Sequence, residues 1–332
     1  MKKNMKKKLC AAVAAAVLAA SAPAFALEHL DAFYYNTADS FIAELSHSLQ
    51  AQAKAEGTEL HEFNAMDDLL VQLESIQTAA GKGKQPLAVN IVDVSNGQAA
   101  ADIAKKNGNA LIFFNRMPSA EVLASWEKAC YVGSDAAQSG TLQGKMLADY
   151  TAAHPEADRN HDGKISLVLI KGQATHQDTA LRTNAALKAL REAGVNAEIT
   201  FSQNGNWSFA SGSEQMSRAL SSQGIEKIEA VICNNDAMAL GASAALQQLG
   251  WNMGDPAKFV PIVGIDGLPE ALKAVQDGKL LGTVKQDAQA QAELIFKLAQ
   301  ILDEGKAVPA ELDGIKASGR AFEVPYQTVI KQ

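Results

Sequence analysis

His176, Asp178 and Arg182 carry the densest chemistry in the sequence, set close together in 172–182 (GQATHQDTALR). Asp178 and Arg182 are four residues apart and would share one face of a helix. The spacing fits a surface ion pair equally well. Polar residues also stand where apolar runs end. Asn115 follows 110–114 (ALIFF), Asn234, Asn235 and Asp236 follow 228–233 (IEAVIC), and Asp266 follows 259–265 (FVPIVGI). Taken singly, each has the look of a helix N-cap; taken together, they describe a shared polar rim. Two aromatic residues sit in polar surroundings: Phe41 beside Asp39 in 35–41 (YNTADSF), and Trp207 in 204–208 (NGNWS). The alternative for Trp207 is a plug over an apolar core. Planar groups that hydrogen-bond in pairs, with aromatic faces beside them, suit a polyhydroxylated ligand. Its hydroxyls donate and accept, and its C–H face is apolar.

A second constellation lies at 158–166 (DRNHDGKIS). Asp158, Asn160 and Asp162 alternate, Gly163 supplies a turn, and the Lys164 carbonyl follows. This is the opening of a calcium-binding loop, in which alternate residues aim oxygens at a hard cation. The acidic residue expected at the twelfth position is replaced by Leu169, so the loop alone is no EF-hand. Without a cation it is an Asx-rich turn.

The elements that must position these residues alternate along the chain. Strand candidates are 86–94, 110–114, 164–170, 228–233 and 259–265, and helix candidates are 41–55, 97–107, 138–153, 178–193, 236–248 and 288–304. Continuous apolar strands separated by amphipathic helices predict parallel sheets covered on both faces. In such sheets ligands bind beyond the carboxyl ends of the strands, where the polar rim lies.

The N-terminus reads as a secretory leader, with five lysines, an apolar run from Leu9 to about Ala20, and an Ala24-Phe25-Ala26 cleavage motif. The apolar run is too short to span a membrane. The leader holds no acidic residue, so its removal takes the formal charge from −7 to −12. That acidity, and a leader where a DNA-binding helix-turn-helix would have to stand, exclude a nucleic-acid regulator. Cys130 and Cys233 remain after cleavage; both flank apolar strands and are expected as buried free thiols. No nucleophile motif, P-loop or zinc spacing is present. His176 would be a base with nothing to activate, and Asp178 with Asp266 would form a glycosidase-like pair whose separation the sequence does not give. The expectation is a binding protein with no catalytic residue.

The segments 111–119 (LIFFNRMPS), 131–135 (YVGSD), 172–182, 228–240 (IEAVICNNDAMAL), 263–272 (VGIDGLPEAL) and 282–287 (GTVKQD) occur in an order that resembles the galactose/glucose-binding branch of the periplasmic pentose- and hexose-binding family, over nearly the whole mature chain. The resemblance implies a type I periplasmic binding protein fold: α/β, with two Rossmann-like domains of parallel sheet joined by a hinge. It implies a leader at 1–26, a first lobe of 27–134 plus 287–318, and a second lobe of 135–286 plus 319–332, with crossings near Ser134, Gln286 and residue 318. Asp39, Asn115, His176, Asp178, Arg182, Asn235 and Asp266 become hydrogen-bonding partners of a sugar, and Phe41 and Trp207 become the faces that enclose its ring. Gln286 stands where the family has asparagine, and its extra methylene shifts hydroxyl preference or shrinks the pocket. The family's first strand is strongly apolar, whereas 28–35 here carries Glu28, His29 and Asp31. Glu229 matches the distant glutamate that completes a Ca²⁺ site with Asp158, Asn160, Asp162, Lys164 and Ser166; the family has a longer amide in place of Ser166. The implied function is an exported, monomeric periplasmic protein. It would deliver D-galactose or D-glucose to the permease of an ABC transporter and, in some members, to a chemoreceptor. Another monosaccharide such as a pentose, and a sensor-only role without transport, remain open.

Overall fold

Residues 27–331 are described by the computed structural model, so the leader expected over 1–26 lies outside the described residues. The chain begins with alternating strands and helices: β1 (His29–Tyr34), α1 (Ser40–Glu56), β2 (Glu59–Asn64), α2 (Leu69–Ala80), β3 (Leu87–Val89), α3 (Gly97–Asn107), β4 (Leu111–Phe114), α4 (Ala120–Ala124) and β5 (Ala129–Gly133). A second alternation follows: α5 (Ala136–Ala153), β6 (Ile165–Lys171), α6 (Gln177–Glu192), β7 (Ala197–Asn204), α7 (Phe209–Gln223), β8 (Ala230–Cys233), α8 (Asp236–Gln247), β9 (Ile262–Asp266), α9 (Pro269–Gln276) and β10 (Gly282–Lys285). Then come α10 (Ala288–Asp303), a short ribbon of β11 (Glu311–Leu312) and β12 (Ile315–Lys316), and two last strands, β13 (Ala321–Glu323) and β14 (Gln327–Ile330).

Two six-stranded sheets result, ordered β13-β5-β4-β3-β1-β2 and β14-β10-β9-β8-β6-β7. All pairings are parallel except β10 with β14. Each sheet is covered on both faces. In the first, α1 and α10 bury one face through Leu45, Leu49, Ile295 and Leu298, and α2 to α4 cover the other through Ile76, Ala104 and Leu123. In the second, α7 to α9 pack on one face and α5 and α6 on the other. This is the doubly wound two-domain α/β fold that the alternation predicts. Cys130 and Cys233 are buried and unpaired, and burial pushes the Cys130 thiol up to about 12.

The chain leaves the first sheet after β5, returns after β10 for α10, and crosses a third time late. That last crossing was expected near residue 318, and the structure moves it. Ala321, Phe322 and Glu323 pair with Tyr131, Val132 and Gly133 of β5, so 319–323 belongs with the first lobe. The third crossing lies between β13 and β14. The buried Phe322, packed in the first core, enforces this placement.

Edge strands account for part of what pattern alone misses; the interior strands β1, β5 and β10 and the helices α2, α4, α7 and α9 also lie outside the candidate segments. β2 reads ELHEFN and β7 reads AEITFSQN, and most of their residues are exposed or half-buried. Neither shows the continuous apolar run of a central strand. The candidate over 86–94 shortens to β3 because the backbone leaves the ladder at Asn90. The Asn90 amide still donates to the Phe33 carbonyl at 2.8 Å, and its side chain donates to the Phe114 carbonyl at 3.3 Å and accepts from the Tyr35 amide at 3.4 Å.

The polar residues of the first strand have their own solution. His29 and Asp31 of β1 stand beside Glu59 and His61 of β2. Asp31 is 2 % exposed; it accepts from Gln85 Nε2 at 2.7 Å and lies 2.9 Å from His61 Nδ1. His61 Nε2 meets Glu59 at 3.0 Å. A ring with both nitrogens on carboxylates favours the imidazolium, in which both nitrogens donate. The hydrogen bonds to Asp31 and then Glu59 raise the His61 pKa above 6.5. A raised folded-state pKa stabilises the fold below about 6.5, and that contribution is lost as pH rises through the folded value. The melting temperature should therefore fall as pH is raised above about 6.5, and His61→Gln should flatten that part of the curve. A profile identical in the variant would show that Asp31 needs no cation.

Candidate functional site

The ten residues singled out as a ligand rim line one cavity between the two lobes. Each follows the carboxyl end of a strand. Asp39 and Phe41 come after β1, Asn115 after β4, and His176, Asp178 and Arg182 after β6. Trp207 follows β7 and Asn235 follows β8; Asp266 ends β9, and Gln286 follows β10.

Local structure explains why these residue types stand there. Asp39, His176 and Asn235 are N-caps of α1, α6 and α8. Asp39 Oδ1 accepts from the amides of Phe41 and Ile42 at 2.9 and 3.2 Å, and Asn235 Oδ1 from Met238 at 3.1 Å. For Asn235 the capping role and the rim position coincide. Asn115 and Asp266 cap nothing: α4 is capped by Ser119, and α9 follows Leu268. Three helix N-termini thus point partial positive charge at the cavity. Asn115, Trp207 and Asp266 have φ of 60°, 65° and 128°, a strained backbone that persists where the surroundings fix it. Phe41 and Trp207 each belong to a lobe core as well as to the cavity wall, so Trp207 is both plug and wall. Its indole crosses over Gly172, where any Cβ would collide with the ring.

Arg182 is the centre of the polar set and is 4 % exposed. Its Nη1 donates to the Asn234 carbonyl at 2.8 Å and lies 3.8 Å from Asp266. Its Nη2 reaches Asp178 at 3.2 Å, Gln286 Oε1 at 3.3 Å and the Tyr326 hydroxyl at 3.3 Å. The Asp178–Arg182 pair is therefore buried, not a surface pair. Burial works against the Arg182 cation, and the oxygens of Tyr326, Asp178 and Asp266 more than offset it. Burial holds the Asp266 carboxyl well above the usual range; Arg182 counters this, and Asp236, Asp39 and Asp178 add to it. Arg182 Nε and Trp207 Nε1 are buried donors with no protein partner. Unpaired buried donors are costly, so an oxygen-rich ligand would gain from meeting them.

His176 is neutral. Its Nδ1 accepts from the Asp178 amide at 3.1 Å, which leaves the proton on Nε2. Burial pushes its pKa down to about 4, against the pull of Asp178.

Three residues support this set; Tyr326 and Tyr35 escaped the sequence pattern, whereas Asp236 stands among the polar strand ends already named. Tyr326 donates to Gln286 at 3.2 Å and sits on Arg182; it lies between two short strands far along the chain. Asp236 is fully buried and accepts from Thr283 Oγ1 at 2.6 Å and from the Gly267 and Leu268 amides at 2.7 and 2.9 Å. It fixes the turn that presents Asp266, and burial raises it to about 6. Tyr35 donates to Asp39 at 2.5 Å.

The 158–166 segment forms a separate loop ahead of β6. Asp158 accepts from the amides of Asp162 and Gly163, Asn160 from Asp162, and Asp162 from Lys164. Gly163 has φ 76°. These bonds fold the loop so that alternate side chains share its interior, as a Ca²⁺ loop requires. Glu229 is buried beside it and accepts from the amides of Arg159 and Ser166 at 2.8 Å each and of Asn160 at 3.3 Å. The donor set is oxygen-only, the chemistry that a hard cation takes, but both Glu229 oxygens are engaged by backbone amides. Among the described residues no three carboxylates, imidazoles or thiols are gathered closely enough to hold a metal as they stand.

The periplasmic binding protein domain family matches residues 32–307. The D-galactose/methyl-galactoside binding periplasmic protein of Haemophilus influenzae is 33% identical over 323 residues, covering 96% of this chain and 95% of the relative. The ribose import binding protein of Salmonella typhimurium is 26% identical over 99% of this chain and 100% of its own. Among solved structures, a solute-binding protein of Actinobacillus succinogenes with bound D-allose superposes with a TM-score of 0.78, at 21% identity, over 92% of this chain and 98% of that one.

Because His176 is buried neutral, folding resists its protonation. With the folded-state pKa lowered, stability is present above about 6.5 and is lost as pH falls from there toward about 4. Replacing His176 with Gln should remove that share of the acid sensitivity in melting curves. An equal acid slope in both proteins would place the titration elsewhere.

Proposed function

The chain belongs to the periplasmic binding protein domain family, whose members bind ligands and do not transform them, and from that premise we propose that it is an exported solute-binding protein capturing D-galactose or D-glucose between its lobes. On this reading residues 1–26 are cleaved after Ala26 on export to the periplasm. The closed form is then what an ABC-type sugar permease recognises, with a chemoreceptor as a second partner of the same form. The observation that carries the reading is the cavity lined by residues of both lobes around Arg182 and Asp178, with Phe41 and Trp207 in its wall. Sugar hydroxyls would take the Arg182, Trp207 and His176 donors and the Asp39, Asp178 and Asp266 acceptors. Ligand contacts from both lobes favour closure because only the closed state makes them all.

Gln286 favours a second reading. Its amide oxygen accepts from Arg182 and Tyr326, so the longer side chain reaches into the polar set and would narrow the room left for a ligand. A pentose is the natural alternative ligand. Titrating the protein with a panel of hexoses and pentoses, followed by Trp207 fluorescence, decides between them. Asp178→Ala and Arg182→Ala should each cost about 2–4 kcal/mol of sugar affinity, since each leaves its partner charge unpaired in a closed site. If both variants bind within a few-fold of wild type, the ligand sits elsewhere.

The same proposal includes Ca²⁺ in the 158–166 loop, held by oxygens of Asp158, Asn160, Asp162, Lys164, Ser166 and Glu229. The cation would offset two of the three negative charges of Asp158, Asp162 and Glu229 and tie the loop to Glu229 ahead of β8. Binding to the native state alone stabilises by about 2.7 kcal/mol at a hundredfold excess over Kd. Chelator should lower the melting temperature, Ca²⁺ should restore it, and Glu229→Gln should lose the response while still binding sugar. Melting that ignores both chelator and millimolar Ca²⁺ would reduce the loop to an ordinary turn.

A further inference from the structure

Arg116 follows Asn115 at the end of β4 but does not line the ligand cavity. It lines a neighbouring groove, with Val92, Asp93, Gln173 and His176, the last shared with the ligand cavity. Its guanidinium lies over the Tyr35 ring, 3.6 Å from the centroid, and Tyr35 in turn donates to Asp39. Its Nη1 donates to the Val92 carbonyl. Tyr35 and Val92 belong to the first lobe, so the side chain is set there. The remaining partner is across the cleft: Nη2 donates to Gln173 Oε1 at 3.0 Å. Gln173 follows β6 in the second lobe. Its carbonyl accepts from the His176 amide at 3.1 Å and from Thr179 Oγ1 at 2.7 Å, which fixes it in the turn that opens α6. Arg116 is 6 % exposed.

We propose that Arg116 and Gln173 form an interlobe latch, a positioning pair that sets how readily the cleft closes, independently of which ligand is inside. The inference rests on the binding-protein reading above. An arginine held on one lobe and bonded to the other can make its last bond only when the lobes meet. A hydrogen bond to a charged group contributes more than a neutral one. It adds to the affinity of every ligand that closes the cleft, because apparent affinity scales with the closed fraction. The stack on Tyr35 and the Val92 bond keep the guanidinium aimed across the cleft, so little side-chain entropy is lost when the bond forms. The pair sits outside the cavity wall, so it does not choose between sugars.

The test compares wild type with Arg116→Met, Gln173→Leu, the double variant and Gln173→Glu. Arg116→Met keeps the stem over Tyr35 and removes the donors. Affinities for every sugar that wild type binds are measured by calorimetry, and the melting temperature is measured without sugar. The latch predicts that Arg116→Met and Gln173→Leu each weaken all sugars by one common factor of about tenfold or more. The double variant should be no weaker than either single, and Gln173→Glu should tighten every sugar by making an ion pair. Sugar-free melting should stay close to wild type. Unchanged affinities, a loss confined to some sugars, additive losses in the double variant, or a clear fall in sugar-free melting would each overturn the latch. If wild type binds no sugar in the panel, the binding reading fails instead. The latch is then read from the closed fraction of sugar-free protein by interlobe distance labelling. Gln173→Glu must raise that fraction and Arg116→Met must lower it, and no difference between them ends the proposal.

Discussion

One buried cation organises this molecule. Arg182 sits on α6, yet its bonds reach the end of β8 through the Asn234 carbonyl, the residue after β10 through Gln286, and the segment between β13 and β14 through Tyr326. Asp266 at the end of β9 lies close by. A guanidinium removed from water needs several well-placed oxygens to remain charged, and here four strand ends provide them. The geometry of the second half of the site is therefore the geometry of Arg182's coordination. The carboxylates outnumber the cation. Burial first, and then that excess, holds Asp266 high, and the surrounding oxygens hold the Arg182 proton firmly; the excess also leaves acceptors around a centre that has donors to spare.

The same economy runs through the helix starts. A capping side chain must be short, polar and placed just past a strand, and a ligand-binding side chain in this fold must stand in the same place. Asp39, His176 and Asn235 satisfy both demands at once. Capping uses one atom of each: Asp39 Oδ1, His176 Nδ1 and Asn235 Oδ1. For His176 this fixes the tautomer, so the cap decides which nitrogen can donate to anything else.

Much of this was legible in the sequence because the signals were local. The central strands are short apolar runs, and their polar ends mark the rim. Helix bounds such as 97–107 and 288–304 fall within a residue of α3 and α10. What was hidden depended on long-range partners. β2 and β7 are edge strands whose polar faces give no run to detect. Tyr326 gains its role only through α6 and β10, which lie far away in sequence. β13 looks like an appendix of the second lobe until its pairing with β5 is seen.

Asp31 shows how a local rule can fail without harming the fold. A carboxylate inside the first strand of a parallel sheet contradicts the apolar pattern that such strands follow. β1 forms regardless, and Asp31 is buried. The strand tolerates it because it pairs on one side with β2, an edge strand open to water. That edge places His61 within reach on one oxygen while Gln85 takes the other. A central neighbour in place of β2 would offer only apolar side chains, and the buried charge would then cost several kcal/mol. The position in the sheet therefore decides whether the substitution is tolerable. Tyr35, the residue just after this strand, carries the Arg116 stack and the hydrogen bond to Asp39. The ion pair at the start of β1 and the ligand rim at its end are joined by one stiff strand, so the edge that shelters Asp31 also helps to hold the residues that face the cleft.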